Sequence, residues 1–146
     1  MTAVHIALGV ALIAVNLAAG LYGSWAWWQW RDAPGFWPLL RAGQLLVAIE
    51  AVIGLVLWLG DEELPPLHLV YGLTPLGVAF LAEQLRVVAA QAELDQRKLE
   101  GRDAIAALPE AEQRALVRAI LRREIGVMAA SALVVAVLGL RAAGWL

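Results

Sequence analysis

Two histidines, each followed four residues later by a glycine, are the residues in this chain best suited to bind a cofactor. His5 precedes Gly9 and His68 precedes Gly72, so both segments have the pattern H-x-x-x-G. A spacing of four places each glycine one turn along the same helical face as its histidine. Neutral imidazole binds haem iron, zinc and copper. The chain has no other histidine, so at most one site with two imidazole ligands can form.

The paired pattern resembles the axial-ligand arrangement of membrane b-type cytochromes, in which histidines on neighbouring helices hold haem b. The resemblance covers only the two short segments. It implies one haem b with His5 and His68 as axial ligands, and with Gly9 and Gly72 leaving room for the flat macrocycle. Tyr71, next to the second glycine, completes the expected cofactor-binding set.

Two other interpretations of the histidines remain open. The first is a zinc or copper site, because imidazole and carboxylate both suit those metals. Its carboxylate would come from the acidic turn that contains Asp61, Glu62 and Glu63. In the second, no ligand binds: His5 is an interfacial residue near the terminus, and His68 forms hydrogen bonds at the start of a helix.

Asn16 and Glu50 are polar residues near the middle of apolar segments. Such groups are costly in a membrane and usually face the interior of a bundle. A hydrogen bond between them would give both a structural role. If Glu50 instead faced a water-filled path, it could carry protons or cations. That alternative predicts a small transporter, which would need a homodimer because four helices rarely enclose a path.

Four apolar segments must position these residues, and we expect them at 3–28, 39–59, 67–86 and 124–143. Each is close to the ~20 residues that cross ~30 Å of hydrocarbon. Hydrophobic residues form 62% of the chain and charged residues 16%, against ~45–50% and ~25% in soluble domains. The predicted fold is therefore all-α: one integral membrane domain over 1–146, built as an antiparallel four-helix bundle. The first and third helices would face each other across its interior.

The distribution of basic residues predicts how the chain threads through the membrane. All of them except Arg141 lie on one side of the four segments. Because basic flanks stay in the cytosol, both termini are predicted to lie outside a bacterial inner membrane. An aromatic belt marks the inner boundary. Its tryptophans are Trp25, Trp27, Trp28, Trp30 and Trp37.

The segment 87–123 is predicted to form a cytoplasmic helical hairpin between the third and fourth spans. Gly101 is a plausible stop for its first helix, and Pro109 suits the first turn of its second. A basic stripe follows at every fourth residue, and it would contact lipid headgroups or a protein partner. The stripe consists of Arg114, Arg118 and Arg122. Nucleic acid is not an expected partner, because acidic residues are interleaved with the arginines.

The sequence also excludes several classes of function. Without cysteine, the chain has no disulfide, thiolate metal site, iron–sulfur cluster or covalently attached c-type haem. No nucleotide-binding or hydrolase motif occurs, so we do not expect an enzyme. Rich in Ala, Leu, Val and Arg with one lysine, the chain resembles small uncharacterised four-helix membrane proteins of high-GC bacteria. That resemblance implies no activity.

Three functions are consistent with these patterns. The leading hypothesis is a redox protein that binds one haem b near the outer leaflet for electron transfer. The second is a non-catalytic accessory or assembly subunit that docks on a larger membrane complex through the hairpin. The third is a small proton- or cation-coupled transporter that uses Glu50 and Asn16.

Overall fold

The computed structural model describes residues 2–60 and 66–146, and within these ranges the chain is helical and contains no strand. The prediction of an all-α fold is confirmed. The helices, in chain order, are α1 Thr2–Gln29, α2 Phe36–Leu59, α3 Pro66–Gln96, α4 Gly101–Ala106 and α5 Glu110–Ala142.

Helices α1, α2, α3 and α5 are long and apolar enough to cross a membrane. Large apolar side chains also cover the outside of the bundle: Ile6 is 62% exposed, Leu45 61% and Phe80 66%. A water-soluble monomer rarely exposes so much contiguous apolar surface. The four long apolar helices expected from the sequence are therefore present, and large apolar side chains are exposed on them.

Helix α5 organises the bundle, because it packs along both α1 and α3, whereas α2 packs mainly on α1. Close approach depends on glycines in α1. A Cβ atom added at Gly23 would lie 2.4 Å from Phe36 Cε2 and 2.8 Å from Ala129 Cβ, and one at Gly20 would lie 2.6 Å from Leu133. These glycines let helix backbones approach one another, as small residues do in membrane bundles.

One end of the bundle is closed by a dense core and by polar contacts between α2 and α3. Phe36 is fully buried there. Gln44 Nε2 donates to Glu83 Oε1 at 2.9 Å, and Arg41 contacts both of these side chains. Arg86 lies 3.3 Å from Glu83 on the same helix. The charges at this end are therefore paired across the bundle surface.

The hairpin differs from the expected one at its turn. Helix α3 ends at Gln96, and Lys98 adopts a left-handed conformation with φ 54°. The Leu99 N–H donates to the Leu94 carbonyl at 3.0 Å, which closes the helix end as such caps do. Gly101, expected to stop this helix, instead begins the short helix α4 with φ 81°.

The second arm of the hairpin is continuous with the last apolar segment. Helix α5 begins at Glu110, directly after Pro109, and continues unbroken to Ala142. Near Arg123, helix α5 contacts α3 through the buried carboxylate of Glu93. Arg123 Nε lies 2.7 Å from one oxygen of that carboxylate, and Arg97 Nε lies 3.0 Å from the other.

Candidate functional site

The two histidines singled out by the sequence come together at the end of the bundle remote from Phe36. His5 lies in the first turn of α1, and His68 lies in the first turn of α3. Their ring centroids are 5.8 Å apart, and the ring planes meet at 76°. The structure thus places both imidazoles in one site.

A backbone carbonyl fixes the tautomer of His68. The Nδ1 atom lies 3.0 Å from the carbonyl oxygen of Ala142, the last residue of α5. Carbonyls in the last turn of a helix have no partner within the helix. Since a carbonyl can only accept a hydrogen bond, His68 Nδ1 is the donor in this contact.

A buried carboxylate faces His5. The Glu50 side chain, from α2, is 9% exposed, and its Oε2 atom lies 2.5 Å from His5 Nδ1. Its other oxygen, Oε1, is buried and has no hydrogen-bond partner among the described residues. This is a close contact between a carboxylate and an imidazole but not a hydrogen bond by its geometry, since His5 Nδ1, like Glu50 Oε1, is buried without a hydrogen-bond partner among the described residues.

The sequence suggested a hydrogen bond between Glu50 and Asn16. In the structure Glu50 instead contacts His5. The Asn16 amide nitrogen donates to the Leu12 carbonyl of its own helix at 2.9 Å. Asn16 also packs on Gly43, where an added Cβ would lie 2.9 Å from the amide atoms. Because Asn16 is eleven positions after His5, the two are about 16 Å apart along the helix, so one carboxylate cannot contact both.

The site opens onto a cavity of about 630 Å³ between α1, α2, α3 and the end of α5. Ligand pockets typically measure about 300–1,000 Å³. Besides His5, Glu50, His68 and Tyr71, the walls are mainly apolar. Large apolar side chains in these walls include Ile6, Val10, Leu55, Trp58, Leu69 and Trp145.

The glycines of the two H-x-x-x-G segments line this cavity. A Cβ added at Gly9 or Gly72 would meet nothing within 4 Å, and the same holds for Gly54 on α2. Gly139 differs, since its added Cβ would lie 2.8 Å from Ile13 Cγ1. Gly9 and Gly72 thus leave open space next to the histidines, whereas Gly139 brings helices together.

Tyr71, the remaining residue of the expected cofactor-binding set, also lines the cavity. The Arg141 guanidinium lies 5.9 Å from the centre of its ring. Arg141 does not itself line the cavity, and its Nη1 contacts the Leu146 oxygen.

The described residues contain no group of three or more histidine, aspartate or glutamate side chains placed to hold a metal ion. The acidic turn expected to supply further ligands, Asp61 to Glu63, lies outside the described residues. The polar side chains that the structure brings together here are the two imidazoles and the Glu50 carboxylate.

The basic stripe lies at the opposite end of the bundle from this cavity. Arg122 Nε donates to the Trp27 carbonyl at the end of α1, at 3.0 Å. Arg114 Nη1 lies 3.4 Å from Glu110 Oε2, and Arg118 is exposed. Any role of these arginines is thus separate from that of the histidines.

Comparisons with protein-family models, curated proteins and solved structures gave no match to this chain.

Proposed function

We propose that this protein is an integral membrane protein that binds one haem b near the outer membrane face, with His5 and His68 as axial ligands, for electron transfer. One observation carries the proposal. Two imidazoles from different helices meet at the wall of an apolar cavity, with the Glu50 carboxylate next to Nδ1 of His5 and the Ala142 carbonyl bound to Nδ1 of His68.

The membrane setting rests on the four apolar helices and their exposed apolar faces. The starts of α1 and α3 lie next to later parts of α2 and α5. This follows from the contacts of His5 with Glu50 and of His68 with Ala142. This is the grouping expected of an antiparallel bundle. The arginine imbalance directs the histidine end outward and the hairpin into the cytosol of a bacterial inner membrane.

The positions of the imidazoles suit a shared iron. With metal–nitrogen bonds of about 2 Å, two imidazoles on opposite sides of one metal have ring centres about 6 Å apart. The ring centroids here are 5.8 Å apart. Metal-bound histidines usually donate their other N–H to a carboxylate or carbonyl, and Glu50 and Ala142 provide one of each.

The cavity also suits a flat apolar group. Gly9 and Gly72 leave open space on the histidine faces, where any larger side chain would meet the macrocycle. Arg141 is a basic side chain beside Tyr71 that would be near a propionate, and its Nη1 also contacts the Leu146 oxygen. When bound, haem would supply one-electron redox chemistry, with its potential tuned by the axial ligands and by burial.

The visible spectrum tests this proposal directly. Protein purified from cells with ample haem should show a low-spin Soret band and a sharp reduced α-band, and His5→Ala or His68→Ala should abolish both bands. Phe80→Ala is the control, because Phe80 is exposed on α3 and does not line the cavity.

Two results would contradict haem binding. One is colourless protein despite ample haem, and the other is full retention of haem when both histidines are replaced. If stoichiometric zinc or copper were found without haem bands and lost in the same variants, the site would be a metal-ion site with two histidine ligands.

A non-catalytic accessory role is the second candidate, and exposed apolar side chains on the hairpin favour it. Val88 is 61% exposed and Val117 54% exposed, as is common where a partner packs. This role predicts that the hairpin crosslinks to another membrane protein in cells and that alanine at both histidines is tolerated. Purification as a single chain with no crosslink would exclude it.

A further inference from the structure

A crevice of about 370 Å³ lies at the opposite end of the bundle from the histidines. It is lined by Trp30, Arg31, Asp32 and Arg118. The first three follow the end of α1, and Arg118 comes from α5. This crevice has no part in the proposed haem site.

Two contacts fix the position of Trp30 in the wall of the crevice: the hydrogen bond that ends α1 and the stacking of Arg122 on the Trp30 ring. Trp30 has φ 54°, a left-handed conformation that favours glycine. The Arg31 N–H closes the end of α1 by donating to the Ala26 carbonyl at 3.1 Å. The Trp30 ring then lies 3.5 Å from the guanidinium carbon of Arg122, whose Nε is bound to Trp27. Arg122 thus joins α1 to α5.

The other two arginines of this region keep their charges available. Among the described residues, neither Arg31 nor Arg118 forms a salt bridge or a side-chain hydrogen bond, and Asp32 pairs with neither of them. Arg31 lies 5.3 Å from the ring centre of Trp25. Arg114, on the same stripe, is by contrast paired with Glu110. The crevice therefore presents two free guanidinium groups and one free carboxylate.

The neighbouring tryptophans indicate the depth of this crevice. Trp28 is 73% exposed and Trp30 71% exposed. Amphipathic rings of this kind lie at the level of lipid headgroups. Guanidinium groups bind phosphate oxygens through paired hydrogen bonds, and basic pockets on the cytoplasmic side of membrane helices bind anionic headgroups.

We propose that the crevice binds the headgroup of an anionic phospholipid, phosphatidylglycerol. Its single phosphate would lie between Arg31 and Arg118, and its glycerol hydroxyls would donate to Asp32. The carboxylate distinguishes among anionic lipids, because it accepts hydrogen bonds from hydroxyls but repels a second phosphate charge. The inference rests on the membrane setting proposed above and is independent of haem.

Native mass spectrometry of the full chain in detergent, with lipid added at stated ratios, tests this site. Phosphatidylglycerol should be retained in preference to phosphatidylcholine and cardiolipin. Arg31→Gln and Arg118→Gln should each weaken its binding about fivefold, as expected for one arginine near the headgroup. Asp32→Asn should shift the preference towards cardiolipin, because the repulsion of a second phosphate is removed.

Arg114→Gln is the matched control, since it removes one positive charge from the same stripe outside the crevice, and it should leave binding unchanged. Arg118→Lys keeps the charge but not the paired hydrogen bonds, and it should fall between the wild type and Arg118→Gln. An equal loss in Arg114→Gln and Arg118→Gln, or equal retention of phosphatidylcholine, would overturn the proposal. Tighter binding of cardiolipin by the wild type would also overturn it.

This experiment tests the lipid site independently of the haem site. Arg118→Gln should retain the visible spectrum of the wild type, and His68→Ala should retain selective binding of phosphatidylglycerol. Loss of lipid selectivity in His68→Ala would show that the selectivity reflects the overall fold and would count against the crevice.

Discussion

At the scale of single residues, the notable feature is how each imidazole is held. His68 donates to a helix-end carbonyl at 3.0 Å, and His5 faces the Glu50 carboxylate at 2.5 Å. The group next to His5 is a carboxylate and the group next to His68 is a neutral carbonyl, so the two imidazoles would differ as ligands of the proposed haem. A carboxylate partner makes its imidazole the more basic ligand.

Replacing Glu50 with glutamine tests this difference. Glu50→Gln keeps the size of the side chain but removes its charge, so we expect haem affinity to fall about 10–100-fold, as with other outer-shell partners. We also expect the midpoint potential to rise. Haem titration and potentiometry provide the measurements. Glu83→Gln is the control, since Glu83 pairs with Arg41 and Arg86 far from the cavity. An unchanged affinity in Glu50→Gln would mean that the carboxylate does not support the ligand.

Space next to the histidines is a second property set by single residues. Gly72→Leu should fill part of the cavity and block the cofactor without unfolding the protein, because an added Cβ meets nothing within 4 Å. Gly77→Leu is the matched control: Gly77 is open in the same way on the same helix but does not line the cavity. Absorbance and thermal unfolding should show haem loss only in Gly72→Leu, with both variants folded. Normal haem content in Gly72→Leu would place the cofactor elsewhere.

At the scale of helices, the glycines of α1 divide into two groups. Gly20 and Gly23 lie against side chains of neighbouring helices, whereas Gly9 faces the cavity. The first group sets the distance between helix axes, and Gly9 sets the width of the cavity. One helix therefore contributes close packing along one part of its length and open space near its start.

Alanine substitutions separate these two roles. Gly23→Ala places a methyl group 2.4 Å from Phe36 Cε2 and 2.8 Å from Ala129 Cβ, so we expect destabilisation of about 1–3 kcal/mol from overpacking. Gly9→Ala meets open space and should be neutral or slightly stabilising, because alanine favours the helix. Thermal unfolding in the same detergent compares the two variants. Equal stability would show that Phe36 moves aside at no cost.

At the scale of the whole molecule, the two proposed sites lie at opposite ends of the bundle. The histidine cavity is formed between α1, α2, α3 and the end of α5. The arginine crevice is formed where α1 meets α5. In the proposed orientation, the first faces outward and the second contacts the inner leaflet. The side of the membrane that each site faces therefore depends on the orientation of the bundle.

The threading of the chain can be measured directly, because the protein contains no cysteine. Single cysteines introduced as Trp145→Cys and Arg118→Cys provide unique labels, and both positions are exposed. A membrane-impermeant thiol reagent added to intact cells should label the first and not the second. After the membrane is permeabilised, both should react. The reverse pattern would invert the bundle and move the cavity to the cytosolic side.

The sequence by itself determined the helical class, the four long apolar helices and the two H-x-x-x-G segments. These are properties of composition and local spacing, and they do not depend on how the helices are rotated or stacked. The end of α3 differed from the prediction, because α3 ends at Gln96 and Gly101 begins α4. Helix ends depend on caps such as the left-handed Lys98, which local composition does not specify.

Only the tertiary structure decided the partner of each polar group. Glu50 contacts His5 rather than Asn16, His68 contacts a carbonyl at the end of α5, and Gly9 faces open space while Gly23 is packed. Each outcome depends on the depth and rotation of one helix relative to another. A helix that is apolar on every side has no polar face to indicate its rotation or its depth relative to other helices. The neighbours of its polar groups are therefore set only when the helices pack together.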